Sequence, residues 1–253
     1  MTLKEIYQIE TTKWDSIADG PRGRITTFAP EETFESYSHG RTQLRGVTEF
    51  LGDLKGKRVL EYGCGLGHVS TLLLRSGAHV TSFDLSRRSV DVTERRIAAN
   101  TPGRTAALAV AAGETLPFAD ESFDIIFGKA ILHHLDVSIG ANDLYRVLKT
   151  GGKAVFSEPM GMNPVLNVVR DHVWYPKKTP RGADKPLSYQ EIHAWGARFR
   201  EFHYQEVELL SMLERGFGFH KKFPALRQLD DVLLEKMPPL RRYCRYVVMY
   251  MVK

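Results

Sequence analysis

The chain has 253 residues, of which 43% are hydrophobic and 26% are charged, with a formal net charge of +5. These proportions are typical of a globular protein and exclude a disordered, collagen-like or coiled-coil chain. Two cysteines are too few for a disulfide framework, the first residues lack the apolar run of a signal peptide, and no apolar stretch is long enough to span a membrane. We therefore expect a soluble, cytoplasmic protein. The positive charge leaves nucleic-acid binding open, although a modest positive balance is more often a solvated surface.

Residues 1–50 mix aromatic and charged side chains ahead of the first apolar run, and we interpret them as an N-terminal helical lid. Residues 51–253 are predicted to form one Rossmann-like domain, interrupted by a substrate-covering insertion at about 159–205. The prolines between residues 159 and 187 predict an irregular loop there. The insertion is followed by Ser188 and Glu191, which have the spacing of a helix capping box.

Short apolar runs alternate with longer amphipathic stretches between residues 57 and 158, which is typical of a parallel α/β sheet. The predicted strands are 58–62, 79–83, 106–110, 123–127, 153–157, 206–210 and 246–252. The predicted helices among them are 68–75, 86–99 and 138–148, with Ser86 as an N-cap and Gly151–Gly152 as the stop signal of the third. Right-handed crossovers then predict a doubly wound, mostly parallel sheet of seven strands.

A glycine-rich turn connects the first predicted strand to the first predicted helix of this sheet. Gly63, Gly65 and Gly67 form a G-x-G-x-G pattern at the carboxyl end of the strand, where doubly wound folds bind ligands. A dinucleotide fingerprint needs its third glycine at the position of His68, and a P-loop needs a Gly-Lys-Ser/Thr ending. Neither feature is present, so the turn is predicted to hold a different nucleoside ligand.

Together with the acid that precedes it, this turn resembles motif I of the class I S-adenosylmethionine-dependent methyltransferases. The stretch from Phe118 to Phe127, Leu132-His-His-Leu135 and Gly151-Gly152 resembles their small-molecule branch, which includes the ubiquinone and menaquinone biosynthesis type. The resemblance covers about residues 57–158 and implies S-adenosylmethionine as the cofactor and S-adenosylhomocysteine as the product. The acceptor it implies is a small molecule methylated at an N, O or C nucleophile.

Two acids are predicted to bind opposite ends of this cofactor. Glu61 would attract the ammonium and sulfonium of the methionine end, with a solvent-facing acid as the alternative. Asp84 lies 21 positions after Gly63, the distance at which an acid reaches ribose hydroxyls in nucleoside-binding βαβ units. A carboxylate can accept from both hydroxyls of a cis-diol. A helix-capping role for Asp84 is the alternative, with Ser86 competing for the cap.

Further cofactor contacts are implied by the resemblance. Gly113 and Glu114 follow the third strand, in the stretch that lines the adenine; Ala112 stands where the family usually has an acid, so backbone contacts are expected. Leu85 and Lys129, at the ends of the second and fourth strands, are added to the predicted cofactor contacts. The lid brings Tyr37, His39, Arg41 and Arg45 ahead of the first strand. A basic side chain of this group could meet the cofactor carboxylate, with Arg45 as the predicted contact, and Tyr37 could face the sulfonium, unless all four belong to an ordinary amphipathic helix.

Three residues are candidates for catalysis. His133 and His134 follow the fourth strand, and an imidazole can take a proton from the attacking nucleophile. A cofactor-shaping role for the histidine pair, as the family implies, remains an equal alternative. Glu158, at the end of the fifth strand, is a second candidate base or amine anchor, or else a solvated loop acid. No metal site is predicted.

Aromatic residues in and after the insertion could wall an aromatic acceptor, although core packing is the more common use of such residues. They include Trp174, Tyr175, Trp195 and Phe199. Nucleic acid is a disfavoured substrate because the fourth strand lacks the Asn/Asp-Pro-Pro-aromatic motif of base-flipping enzymes. A cofactor-binding scaffold or a non-methylating enzyme on the same fold remains the alternative function, because a fold alone does not determine chemistry.

Overall fold

The computed structural model describes residues 2–172, 185–216 and 224–253, and a seven-stranded sheet forms its centre. The strands are β1 (Arg58–Tyr62), β2 (His79–Asp84), β3 (Ala107–Val110), β4 (Phe123–Lys129), β5 (Leu148–Pro159), β6 (Glu201–Val207) and β7 (Tyr246–Val252). Their order is β3-β2-β1-β4-β5-β7-β6. The first five strands pair in parallel, and β7 runs antiparallel to both of its neighbours. The predicted mostly parallel sheet is confirmed.

Helices cover both faces of the sheet. They are α1 (Leu3–Asp19), α2 (Phe34–His39), α3 (Val47–Leu51), α4 (His68–Arg75), α5 (Arg87–Asn100), α6 (Val137–Val147), α7 (Pro164–His172), α8 (Tyr189–Gly196), α9 (Leu213–Gly216) and α10 (Pro224–Lys236). Residues 1–50 thus contain helices, as expected. No helix in the described ranges is long and apolar enough to cross a membrane.

The alternation of side chains along β1 explains why the sheet has two hydrophobic cores. Val59 packs into the cluster that contains Leu72 and Leu73 of α4. Its neighbour Leu60 packs into the cluster that contains Leu144 of α6. Both β1 residues are fully buried. Because successive strand residues point to opposite faces, a central strand with both faces covered must be apolar at consecutive positions.

Helix caps were the most predictable local features. Ser86 accepts a hydrogen bond from the Ser89 backbone N–H at the start of α5. Ser188 and Glu191 form the expected capping box of α8, in which each side chain accepts a bond from the other residue's backbone N–H. Both predictions are confirmed, since a side-chain oxygen at the N-cap satisfies a helix donor that has no partner within the helix.

The sixth strand lies earlier in the chain than predicted. The structure forms β6 at Glu201–Val207 instead of residues 206–210. Glu208 has a φ of 66°, in the left-handed region, and this ends the extended backbone. The apolar residues Leu209 and Leu210 belong to a turn whose backbone N–H groups donate to Asp230.

Two boundaries near β5 and α7 also differ from the sequence prediction. Helix α6 ends at Val147, and Gly151 and Gly152 lie within β5 rather than closing the helix. The segment predicted as irregular contains α7, which begins at Pro164. Asn163 accepts from the first backbone N–H groups of α7 at 3.0 and 3.2 Å. An N-capping Asn followed by proline is a helix start signal. The sequence prediction missed it because the prolines of this segment were interpreted together as a sign of irregular structure.

The aromatic residues of the insertion divide into two groups. Trp195 and Phe199 are 1% and 7% exposed and lie in the hydrophobic core beside α6. Trp174 and Tyr175 lie outside the described residues. Core packing, the alternative for aromatics at helical spacing, therefore applies to the two that the structure describes.

Candidate active site

A cavity of about 730 Å³ opens at the carboxyl ends of β1, β2 and β4. This size is within the usual range for small-molecule and cofactor sites. Ten residues predicted from the sequence lie in its wall: Tyr37, Glu61, Gly63, Gly65, Asp84, Leu85, Gly113, Glu114, Lys129 and His134. The cavity therefore unites residues that are distant in the sequence but adjacent at one edge of the sheet.

The glycine turn forms the floor of the cavity. Gly63 and Gly65 have φ values of 75° and 50°, a region that side-chain-bearing residues rarely adopt. A Cβ on Gly65 would stand 3.3 Å from the ring of Trp14 and would narrow the cavity. Gly67 is needed for helix packing. A Cβ added at this position would stand 2.7 Å from the backbone of Thr93, so the absence of a side chain lets α4 approach α5. The prediction that Gly67 contacts the cofactor is not supported, because it lies outside the cavity wall.

Asp84 joins the glycine turn to the start of α5. One carboxylate oxygen accepts from the Gly65 N–H at 2.8 Å, and the other accepts from the Ser86 N–H at 2.9 Å. The side chain lines the cavity although the residue is only 7% exposed. Burial raises the pKa of the Asp84 carboxyl, and these backbone hydrogen bonds oppose the increase. Each oxygen has a further lone pair with which to accept from a ligand hydroxyl.

Glu61 is the second acid of the cavity floor. Burial raises its pKa to about 8, despite hydrogen bonds from the hydroxyls of Ser70 and Ser82 that favour the ionised form. The sequence alternative of a solvent-facing acid is wrong, because Glu61 is only 4% exposed. A cation bound beside it would lower this pKa and ionise the carboxyl.

The segment after β3 closes the cavity on the side of β2. Tyr62 donates a hydrogen bond from its hydroxyl to the Gly113 carbonyl. The Glu114 carboxylate accepts from the Tyr7 hydroxyl at 2.7 Å and from the Asp136 N–H at 3.2 Å. The side chain of Glu114 is therefore occupied by protein donors, which agrees with the expectation that this segment would offer its backbone to a ligand.

Helix α1 forms the roof of the cavity. Ile6, Tyr7, Glu10, Trp14 and Ile17 line it; from Tyr7 onward the spacing is three or four residues, and Ile6 lies four residues before Glu10, which places all five on one face of the helix. Sequence analysis did not include these residues in the site. The aromatic residues Tyr7 and Trp14 were the available signal, but a mixed segment ahead of the first strand has no motif that fixes its position.

Polar side-chain contacts connect this roof to the rim of the sheet. Tyr7 donates to Glu114, as above. The Ser86 hydroxyl donates to Asp15 at 2.6 Å, and Arg88 forms an ion pair with Asp19. These contacts join α1 to the segment after β3 and to the start of α5.

The histidine pair occupies the edge of the cavity after β4. The rings of His133 and His134 have centroids 3.9 Å apart. His134 lines the cavity and has its Nδ1 3.6 Å from Glu10 of α1, whereas His133 lies outside the cavity wall. The prediction that one histidine of the pair faces the site agrees with this placement.

Glu158 is not available as a base. It is fully buried, and its carboxylate accepts from the backbone N–H groups of Ile131 and Leu132 at 2.9 and 3.0 Å. Its other oxygen lies 2.7 Å from Nδ1 of His133. The alternative of a solvated acid is wrong, and the prediction of a catalytic Glu158 gains no support, because the side chain is absent from the cavity wall. Its position instead fixes the turn that carries the histidines.

Cationic groups surround Tyr37 at the remaining side of the cavity. Lys129 donates to the Tyr37 hydroxyl at 3.2 Å, and the guanidinium of Arg41 lies 3.7 Å above the tyrosine ring. Arg45 points elsewhere: it forms an ion pair with Asp231 of α10 and is absent from the cavity wall. Of the basic residues predicted for this role, Arg41 lies in the cavity wall and Arg45 does not; Arg22 of the lid also lines the cavity.

The residues of the cavity fit S-adenosylmethionine. Asp84 offers an acceptor for a diol, Glu61 offers a carboxyl for an ammonium, and the glycine turn leaves space that a Cβ on Gly65 would reduce. Lys129 and Arg41 offer positive charge for a carboxylate. No group of metal-ligating side chains was found in the described ranges.

Residues 60–156 match the family described as Methyltransferase domain. A demethylmenaquinone methyltransferase of Clavibacter sepedonicus is 34% identical over 206 residues, which cover 76% of this chain and 78% of that protein. The chain thus belongs to the S-adenosylmethionine-dependent methyltransferases, as the glycine turn and the motifs around β4 predicted.

Two solved structures share the fold. A phosphoethanolamine N-methyltransferase 2 of Haemonchus contortus, in complex with S-adenosyl-L-methionine, has a TM-score of 0.62 at 19% identity, covering 95% of this chain and 60% of that one. The [4+2]-cyclase SpnF has a TM-score of 0.58 at 19% identity, covering 98% of this chain and 94% of that one. At this identity the likeness extends to the fold alone.

Proposed function

We infer that this protein transfers the methyl group of S-adenosylmethionine to an N, O or C nucleophile of a small-molecule acceptor. One observation carries the inference: a single cavity has Glu61, Asp84 and the glycine turn in its floor and His134 in its wall. The relative from Clavibacter, whose name describes methylation of a menaquinone precursor, supports a small apolar acceptor. A metabolic enzyme with two buried, unbridged cysteines also suits the reducing cytoplasm.

In this proposal Asp84 and Glu61 bind opposite ends of the cofactor. Asp84 accepts from the ribose hydroxyls with the lone pairs that Gly65 and Ser86 leave free. Glu61 ionises when the ammonium arrives, because an opposite charge favours the carboxylate. Lys129 and Arg41, on either side of Tyr37, hold the cofactor carboxylate. Gly113, Glu114 and Leu85 enclose the adenosine.

The bound cofactor supplies an electrophilic methyl group, and the protein supplies position and exclusion of water. The α1 roof covers part of the cavity, and the exclusion of water there would favour attack by the acceptor over side reactions. His134 is the proton acceptor for a nucleophile that loses a proton, since its ring lies in the cavity wall. His133 and Glu158 act as positioning residues for it: Glu158 fixes His133, and His133 packs against His134.

The second candidate is a non-methylating enzyme that uses the same cavity. The likeness to a [4+2]-cyclase is the observation that favours it. Product analysis separates the two. Incubation with methyl-labelled S-adenosylmethionine and fractionated metabolite extracts should yield a labelled acceptor and an equal amount of S-adenosylhomocysteine. Cofactor binding with neither product from any fraction would refute the transferase proposal and favour the alternative.

A further inference from the structure

Exposed hydrophobic side chains are unevenly distributed along the chain. Ten large hydrophobic residues of the described ranges are exposed, and seven of them lie between residues 162 and 237. These seven are Met162, Val165, Val168, Leu213, Leu229, Val232 and Met237. Single exposed hydrophobic residues are normal in a folded protein, but a concentration of them indicates a binding surface.

The segments that carry these residues follow one edge of the sheet. Strands β5 and β6 both pair antiparallel with β7, so they run in the same direction and end at the same edge. Helix α7 follows the end of β5, and α9 and α10 follow the end of β6. Asn163, at the start of α7, donates to the Tyr243 carbonyl at 2.7 Å. Because Tyr243 ends the short 3₁₀ helix that follows α10, this bond joins α7 to the segment after α10.

Helix α10 has hydrophobic residues on both of its sides. On the inner side, Leu234 is buried, and Asp230 accepts from backbone N–H groups in the turn after β6. On the outer side, Leu229 and Val232 are 44% and 46% exposed. Lys236, four residues after Val232, is exposed on that same side. A surface helix normally has a polar outer face, so folding alone does not explain this apolar pair.

Helix α7 repeats this arrangement. Val165 and Val168 are three positions apart, and they are 69% and 58% exposed. Leu166 and Asn167 are half-buried and lie on the opposite side of the helix. Two helices that follow the same edge of the sheet therefore each present a pair of exposed apolar residues at helical spacing.

Charge is distributed as unevenly as the exposed hydrophobic residues. Residues 159–253 contain 16 Lys and Arg against 10 Asp and Glu, whereas residues 1–158 contain 19 against 20. The net positive charge of the chain therefore comes from the part that carries the exposed apolar residues. Among the acids on the surface of α10, Asp231 is paired with Arg45, and Glu235 is adjacent to Lys236. Arg242, in the 3₁₀ helix after α10, is exposed.

We propose that the outer sides of α7 and α10 form a docking face that binds the surface of a lipid bilayer containing anionic lipids. The docking face consists of Val165, Val168, Leu229, Val232 and Lys236. Its apolar side chains enter the boundary between headgroups and acyl chains, and the positive charge of this part of the chain attracts the anionic headgroups. A second copy of the chain is a poor occupant, because it would bring two positive regions together. The proposal does not depend on the proposed methyl transfer.

The test is sedimentation of the full chain with vesicles, made either of phosphatidylcholine alone or of phosphatidylcholine with the anionic lipid phosphatidylglycerol. Val165→Gln combined with Val232→Gln removes apolar groups from the docking face without adding charge. Ile139→Gln is the matched control, because Ile139 is 41% exposed on α6. Lys236→Gln removes a cation of the docking face. Its control is Lys55→Gln, an exposed position before β1 at the opposite edge of the sheet.

We expect the unmodified protein to bind the anionic vesicles at least about tenfold more tightly than the neutral ones, and added salt to weaken this binding. The combined valine variant should bind anionic vesicles about tenfold more weakly, and Lys236→Gln about threefold to fivefold more weakly. Both controls should stay within about twofold of the unmodified protein.

Three results with vesicles would overturn the proposal: no sedimentation with anionic vesicles, equal binding to both vesicle types, or unchanged binding of the combined valine variant. A dimer that the same variant abolishes would also overturn it, since the face would then belong to a second copy. Urea denaturation checks that each variant is folded. Failure of the proposed function looks different, because S-adenosylhomocysteine binding and labelled product are measured without vesicles.

Discussion

The carboxyl edge of the sheet and helix α1 face each other across the cavity, yet different interactions hold them in place. At the sheet edge, Asp84 is bound by backbone N–H groups and Glu61 by buried hydroxyls. Helix α1 is connected to that edge by side-chain contacts, among them an ion pair between Asp19 and Arg88 whose two side chains are both exposed by more than half. Buried networks are rigid, whereas segments with few buried contacts open at lower free energy. We therefore expect the floor to position the cofactor and the roof to open for its entry.

The largest expected effect comes from removing the Asp84 carboxylate from the floor. Asp84→Ala should weaken S-adenosylhomocysteine binding by about tenfold to a hundredfold, because charge-assisted hydrogen bonds contribute roughly 1.5–3 kcal/mol. Calorimetry measures the affinity. Asp91→Ala, which removes an exposed acid of α5, is the control. If both folded variants bound S-adenosylhomocysteine with equal affinity, Asp84 would not contribute to binding of this ligand.

Glu158 extends the comparison to a residue that lies at the same edge of the sheet but does not line the cavity. Glu158→Gln leaves one of the two backbone donors or His133 with a poorer partner, so the free energy of unfolding should fall by about 1–3 kcal/mol. Urea denaturation measures the loss. Once an acceptor is known, the turnover rate should fall while S-adenosylhomocysteine affinity is retained, and the pH profile should shift. An unchanged pH profile would leave Glu158 with a structural role only.

The same contrast explains how much the sequence could reveal. The turn at Gly63–Gly67, Asp84 and the histidine pair were predictable because strand ends and glycine spacing fix their positions along the chain. The position of Tyr7 and Trp14 in the roof, and the choice between Arg41 and Arg45 at the cavity wall, depend on how the lid helices pack across the sheet. No local pattern encodes that packing. Glu158 was misassigned because the end of a strand predicts the position of a side chain but not whether its neighbours bury it.

Glu61 provides a pH test of the floor. Its pKa of about 8 in the folded protein lies above the ordinary value of 4.5. The folded state therefore holds the proton more tightly than the unfolded state, and stability falls as pH rises between these two values, by at most about 1.4 kcal/mol per pH unit. Glu61→Gln should flatten this part of the profile, because the amide does not titrate.

Urea denaturation at several pH values between 5 and 8 measures the slope. Glu94→Gln, at an exposed position of α5, is the matched control and should retain the slope of the unmodified protein. Saturating S-adenosylmethionine should also reduce the slope, since its ammonium would favour the ionised carboxylate. Identical slopes in Glu61→Gln and the unmodified protein would show that Glu61 does not retain its proton in the folded state.

The smallest effect is expected at the roof. Tyr7→Phe removes the hydrogen bond to Glu114, which has a length of 2.7 Å, and should cost about 1 kcal/mol or somewhat more, since the acceptor is a carboxylate. Because this contact joins α1 to the segment after β3, the loss should be local. Hydrogen exchange should accelerate in residues 3–19 of the ligand-free variant, while β1 and β4 keep their protection.

Bound S-adenosylhomocysteine should restore protection of α1, since the cofactor would fill the space beneath Trp14 and Tyr7. If α1 in the unmodified protein were equally protected with and without S-adenosylhomocysteine, the roof would be as rigid as the floor, and the entry route for the cofactor would have to lie elsewhere.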